Sequence, residues 1–109
     1  MMSKHTDWVR TTECAVCGDH TSVELAHLRY SQYRSGKANP GIGQKPADLW
    51  TLGLCSYHHA MQHKMGERHF WQSHGIDPII YCTLLHQYSG DINMLPYIKT
   101  KAGTQKPGQ

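Results

Sequence analysis

Apolar positions along the chain fall into short, separable patterns. Val23-Glu24-Leu25-Ala26-His27-Leu28-Arg29 alternates with period two. It predicts a strand with Val23, Leu25, His27 and Arg29 on one face and Glu24, Ala26 and Leu28 on the other. Leu49-Trp50-Thr51-Leu52-Gly53-Leu54 predicts a second short strand. Between them, residues 30–46 hold Gly36, Pro40, Gly41, Gly43 and Pro46, which predicts a loop long enough to suggest function. Ser56 to Lys64 then predicts a helix stopped by Gly66. Glu67 to His74 predicts a second helical piece anchored by Phe70 and Trp71 and ended by Gly75. Asp77-Pro78 is an N-cap and N1 pair for a further helix over about Pro78–Tyr88. The first 13 residues are polar, with a short helix expected around Thr6–Val9 and Trp8 as its core anchor. Pro96 and the polar end of the chain predict irregular structure and then disorder from about Lys99. One α+β domain is therefore expected over residues 1–98, followed by a basic tail, 99–109.

A chain of 109 residues buries only a modest core, and a structural metal is a common supplement. No apolar run approaches the roughly 20 residues of a membrane span. The N-terminus, Met1-Met2-Ser3-Lys4-His5, has neither the apolar core nor the cleavage site of a secretory signal, so a cytoplasmic, reducing compartment is expected. There, four cysteines read as metal ligands before disulfides. The net charge is only +3, but its distribution is uneven. Leu25 to Ala47 contains no acid while holding Arg29, Arg34, Lys37 and Lys45, which makes that loop a candidate for phosphate contact. Ile92 to Gln109 is also acid-free, with Lys99, Lys101 and Lys106 read as a solubilising tail.

Leu54-Cys55-Ser56-Tyr57-His58-His59-Ala60-Met61-Gln62-His63 concentrates four metal-ligating side chains. On a helix, His59 and His63 share a face, while His58 and His59 diverge by about 100°. One helix can therefore serve two metals. Cys55 and His58 find partners in Cys14-Ala15-Val16-Cys17-Gly18, which has the form of a zinc knuckle. Cys14, Cys17, Cys55 and His58 would make a closed Cys₃His site suited to structural Zn²⁺. His59 and His20 are alternatives for the fourth ligand. Cys82, alone among apolar residues, is expected in the core. His69, His74 and His86 are expected at the surface.

The order of these pieces resembles the HNH endonucleases, the ββα-metal or treble-clef nucleases. The resemblance rests on Cys14–Cys17, Leu25-Ala26-His27-Leu28-Arg29, Asp48-Leu49 and Leu54-Cys55–His63, and covers about residues 12–80. More narrowly, the chain is similar to small phage-type HNH nucleases, the group that includes the RecA-dependent recombination-enhancement nuclease. The resemblance implies a zinc-stabilised treble-clef or ββα-metal core with additional C-terminal helices. It implies His27 as the general base. It implies His59 and His63 as ligands of a catalytic divalent metal, Mg²⁺ or Mn²⁺ or another transition metal. Asp48 falls where the family carries a positioning Asn. Ala26 falls where many relatives carry a further ligand just before the base, so Asp48, water or substrate completes the coordination, or His27 is itself a ligand. DNA is the implied substrate, a RecA-type recombinase the implied partner, and a bacterial or phage origin the implied source.

The chemistry agrees. A neutral imidazole is a suitable base near pH 7. A metal held by two histidines leaves positions open for phosphate oxygens. Arg29 could hold the phosphate by a charge-assisted pair. A rival expectation is a non-catalytic treble-clef zinc module that binds nucleic acid or protein, because fold does not fix function.

Overall fold

The computed structural model describes residues 4–29 and 48–103. Its described elements are a two-stranded antiparallel sheet and five α-helices, a small α+β architecture. Helix α1, Lys4–Val9, buries Thr6 and Val9. Strand β1, Val23–His27, pairs with β2, Thr51–Cys55, in the register Val23 with Cys55, Leu25 with Gly53 and His27 with Thr51.

Both strands are shorter than the alternation suggests. Past His27 the backbone still bonds across, Leu28 N–H to the Trp50 carbonyl at 2.9 Å. Arg29 N–H instead donates to both carboxylate oxygens of Glu67, at 2.9 and 3.0 Å. Asp48–Trp50 form a 3₁₀ turn rather than the start of β2. Every residue of β2 is buried, which explains its near-continuous apolar run.

Three helices follow β2 without long connections. Helix α2, Ser56–Met65, begins directly from Cys55, whose extended backbone ends the strand. Gly66, at φ 90°, closes it by donating to the Gln62 carbonyl. Helix α3, Glu67–His74, buries Phe70 and Trp71 and ends at left-handed Gly75. Burying each of those rings contributes about 1.5–3 kcal/mol. The Trp71 indole N–H donates to the buried Gln62 side chain at 2.9 Å, so a polar residue of α2 is accepted in the core. Helix α4, Pro78–Gln87, is capped by the Asp77 carboxylate, which accepts from the N–H groups of Ile79 and Ile80. Cys82 is fully buried on it.

The C-terminal segment departs from expectation. Instead of irregular chain from Pro96 and disorder from Lys99, α5 runs Leu95–Ala102. Pro96 lies in its first turn, where a missing N–H costs no hydrogen bond. Leu95, Ile98 and Ala102 are buried at helical spacing, and Asp77 N–H donates to the Ala102 carbonyl at 2.8 Å. The folded unit therefore extends past residue 98. No described helix is long and apolar enough to cross a membrane.

Candidate metal centre

The cysteine knuckle is built on backbone before any metal is considered. Gly18, at φ 79°, turns the chain after Cys17 and donates to the Cys14 carbonyl at 2.9 Å. Cys14 N–H donates to the Asp19 carbonyl, and Ala15 N–H to the Gly53 carbonyl, both at 2.9 Å. The second bond fixes the knuckle to β2, two residues before Cys55. The Asp19 side chain accepts from both the N–H and the hydroxyl of Thr21, which holds its carboxyl below the usual range.

Cys14, Cys17, Cys55 and His58 converge, with their ligand atoms all within 4.8 Å of one another. Cys17 Sγ and Cys55 Sγ are 3.9 Å apart. His58 Nδ1 is 3.6 Å from Cys14 Sγ and 3.3 Å from Cys55 Sγ. Zn–S bonds of about 2.3 Å and Zn–N bonds of about 2.0–2.1 Å put tetrahedral edges at roughly 3.8 Å and 3.6 Å, so the spacing fits the ion. It does not fit disulfides, and all four cysteines are free thiols. Three thiolates and one imidazole form a closed donor set that can hold a metal such as zinc. Burial pushes the Cys14 thiol up, but N–H groups of Cys17, Cys55 and Val16 more than offset it, leaving Cys14 below its ordinary value. Cys17 receives a backbone hydrogen bond at Asp19 that lowers it. Burial and the neighbouring Cys14 and Cys55 outweigh that bond, and its thiol is raised. Packed thiols compete for one negative charge, which a cation would relieve.

The helix carries the second donor pair on a different side. His59 and His63 lie one turn apart with ring centroids 5.0 Å apart. His59 Nδ1 donates to Glu24 Oε1 at 2.7 Å, tying α2 to β1. Strand alternation puts Glu24 and Ala26 on the face turned to this helix and His27 on the other. His27 is half-buried at the end of β1. The Cys₃His set is the one group of three or more His, Cys, Asp or Glu donors that converges among the described residues. His27, His59 and His63 do not form such a group.

A family model described as "Protein of unknown function (DUF968)" matches residues 1–90. The chain belongs to the DUF968 family. A stretch of 60 residues is 38% identical to the uncharacterized protein YdfU of Escherichia coli (strain K12), covering 55% of this chain and 15% of that protein. The DUF968 chain thus corresponds to a small part of that relative. No solved structure matches it.

The remaining expected site residues of this DUF968 chain divide clearly. His20, an alternative fourth ligand, is exposed and outside the cluster, and His59 faces Glu24 instead. Arg29 is exposed, with its backbone held by Glu67. Asp48 opens the turn before β2; its side chain falls outside the described residues, as do Arg34, Lys37 and Lys45. His69 and His86 are exposed as expected. His74 is not a plain surface residue: its ring packs edge-on against His58, with centroids 5.6 Å apart, and against Phe70 at 4.7 Å. Sequence reasoning missed Glu24, Glu13, Gln62 and Glu67. Glu24 carried a signal, since it shares the strand face of Ala26, where a ligand was sought.

Proposed function

We propose that this protein is a zinc-stabilised, metal-dependent endonuclease of HNH type that hydrolyses DNA phosphodiester bonds. The observation that carries the reading is the division of α2. Its first turn delivers His58 to the cysteine cluster, while His59 and His63 form a separate pair of imidazoles on another side. A purely structural zinc domain has no need of the second pair. The order knuckle, antiparallel hairpin, helix supports reading this α+β unit as a treble-clef or ββα-metal core.

In this account Cys14, Cys17, Cys55 and His58 hold zinc and fix where α2 begins. His59 and His63 hold a divalent cation such as Mg²⁺ or Mn²⁺, which when bound supplies positive charge to the scissile phosphate. Among the described residues no third donor converges with that pair, so a cation held there would keep positions open for substrate. His27 ends β1 on the strand face opposite Glu24, so in this reading its imidazole reaches the attacking water past the end of the strand and takes a proton as the water oxygen bonds to phosphorus. The P–O3′ bond breaks and the leaving oxygen takes a proton from solvent water. Arg29 and the loop residues Arg34, Lys37 and Lys45 contact the backbone phosphates, with Asp48 positioning the base. A RecA-type partner and a bacterial or phage cytoplasm belong to the same resemblance.

One observation favours a second reading. The closed Cys₃His group is the one converged donor set among the described residues, as in a non-catalytic zinc module for nucleic acid or protein. Metal stoichiometry separates the two. The nuclease reading expects one tight zinc plus an exchangeable Mn²⁺ that is lost in a His59→Ala, His63→Ala variant, together with DNA cleavage. One zinc and no exchangeable site favours the module.

A further inference from the structure

Glu24 is the acidic residue that His59 meets. The β1–β2 register sets it opposite Leu54, immediately before Cys55 and the start of α2. Because β2 turns directly into α2, the helix returns along β1, and its first turn brings His59 over Glu24. One further helical turn advances about 6 Å to His63. Two strand residues advance about the same distance, to Ala26. Ala26 offers no ligand atom, so Glu24 is the nearest carboxylate on that face.

We propose that Glu24 is a positioning residue for a divalent cation bound by His59 and His63. This rests on the endonuclease reading of that pair and adds the residue that prepares it. A carboxylate only accepts, so the 2.7 Å bond requires the proton on His59 Nδ1. In the neutral ring Nε2 then carries the lone pair and becomes the ligand atom. Carboxylate–imidazole–metal arrangements of this type fix tautomer and ring orientation and raise the basicity of the ligand. The neighbouring His63 ring lies one helical turn on, with its centroid 5.0 Å from that of His59, and supplies the second imidazole of the proposed pair. The zinc cluster contributes at one remove. His58 joins the first turn of α2 to the knuckle cysteines, so a metal held there would set the rotation of the helix that aims His59 at Glu24.

The test uses the zinc-loaded 109-residue chain, with ¹⁵N-histidine NMR for the His59 tautomer and Mn²⁺ titration for affinity. The wild type is expected to show His59 protonated at Nδ1 and to bind Mn²⁺ in a manner abolished by His63→Ala. Glu24→Ala should keep one zinc and the native circular dichroism spectrum, lose the fixed tautomer, and bind Mn²⁺ about 10–100-fold more weakly. Glu24→Gln, which retains an acceptor oxygen, should restore the tautomer and part of the affinity. An Nε2-protonated His59 in the wild type, or unchanged Mn²⁺ affinity in Glu24→Ala, overturns the role of Glu24. Mn²⁺ binding that is absent from the wild type, or unaffected by His63→Ala, overturns the histidine pair itself and Glu24 with it. The two failures are therefore distinguishable.

Discussion

The Lys99 ammonium on α5 is bonded to the Glu13 carboxylate, one residue before the first knuckle cysteine, and reaches the Cys14 carbonyl at 3.4 Å. The C-terminal helix thereby braces the metal cluster from a distance of more than 80 residues in sequence. Both side chains are 29% exposed, so solvent screens the pair in part. Lys99→Met should cost about 0.5–1 kcal/mol and lower Tm by several degrees. Glu13→Gln should do the same, and the double variant should be little worse than either, because the two share one interaction. Fully additive losses in thermal melts would show that the pair is not coupled.

Gly53 is required for close approach rather than for an unusual backbone angle. A Cβ there would lie 2.7 Å from Val23 Cγ1 and 2.9 Å from the Glu13 carbonyl. The Gly53 carbonyl also receives the knuckle N–H of Ala15. Gly53→Ala should therefore destabilise the fold by about 1–3 kcal/mol in urea titrations. It should also speed zinc loss to a chelator, since the knuckle is displaced from β2. A variant with wild-type stability and zinc retention would contradict this account of the sheet–knuckle contact.

Cys55 ends β2, precedes α2 and belongs to the donor group that can hold a metal, so it would link that metal to the fold. Cys55→Ser should lose zinc and most far-UV helical signal, because metal-binding free energy is folding free energy in small metal domains. The pH sense follows from the ligands. Cys14 has a depressed folded pKa, so the stability it contributes is present above the ordinary thiol value of 9.0 and is lost as pH falls through the lowered one. Raised Cys17 opposes this in the metal-free protein; bound zinc requires every thiolate and makes acid uniformly unfavourable. Zinc content and helical signal should fall together on acidification. Zinc loss with an unchanged spectrum would separate metal from fold.

Much of this architecture was legible in the sequence where local chemistry was decisive. The Gly66 and Gly75 stops, the Asp77-Pro78 cap and the alternation around Leu25 each act within a few residues. The Cys-x-x-Cys and Cys-x-x-His spacings brought together the four residues that converge. What was hidden depended on tertiary context. Leu95, Ile98 and Ala102 have helical spacing, but Pro96 and the lysines masked it until Ala102 could bond Asp77. Gln62 gave no local signal of burial, because its partner, Trp71, lies on another helix. The alternation places Glu24 on the strand face of Ala26 and Leu28, but its partner His59 lies on α2, beyond the reach of a local pattern.

Cleavage of supercoiled plasmid and single-stranded DNA by the zinc-loaded protein, with added Mg²⁺ or Mn²⁺ and a His27→Ala control, tests the endonuclease reading most directly. The account predicts metal-dependent cutting by the wild type. It predicts a loss on the order of 10² to 10⁴ in rate for His27→Ala, with folding, zinc content and DNA affinity near wild type, because a general base acts in the chemical step. Cutting by His27→Ala at the wild-type rate would contradict the role of His27. A wild-type protein that binds DNA and zinc yet cuts neither substrate with either metal would contradict the nuclease itself and leave the zinc module as the better account.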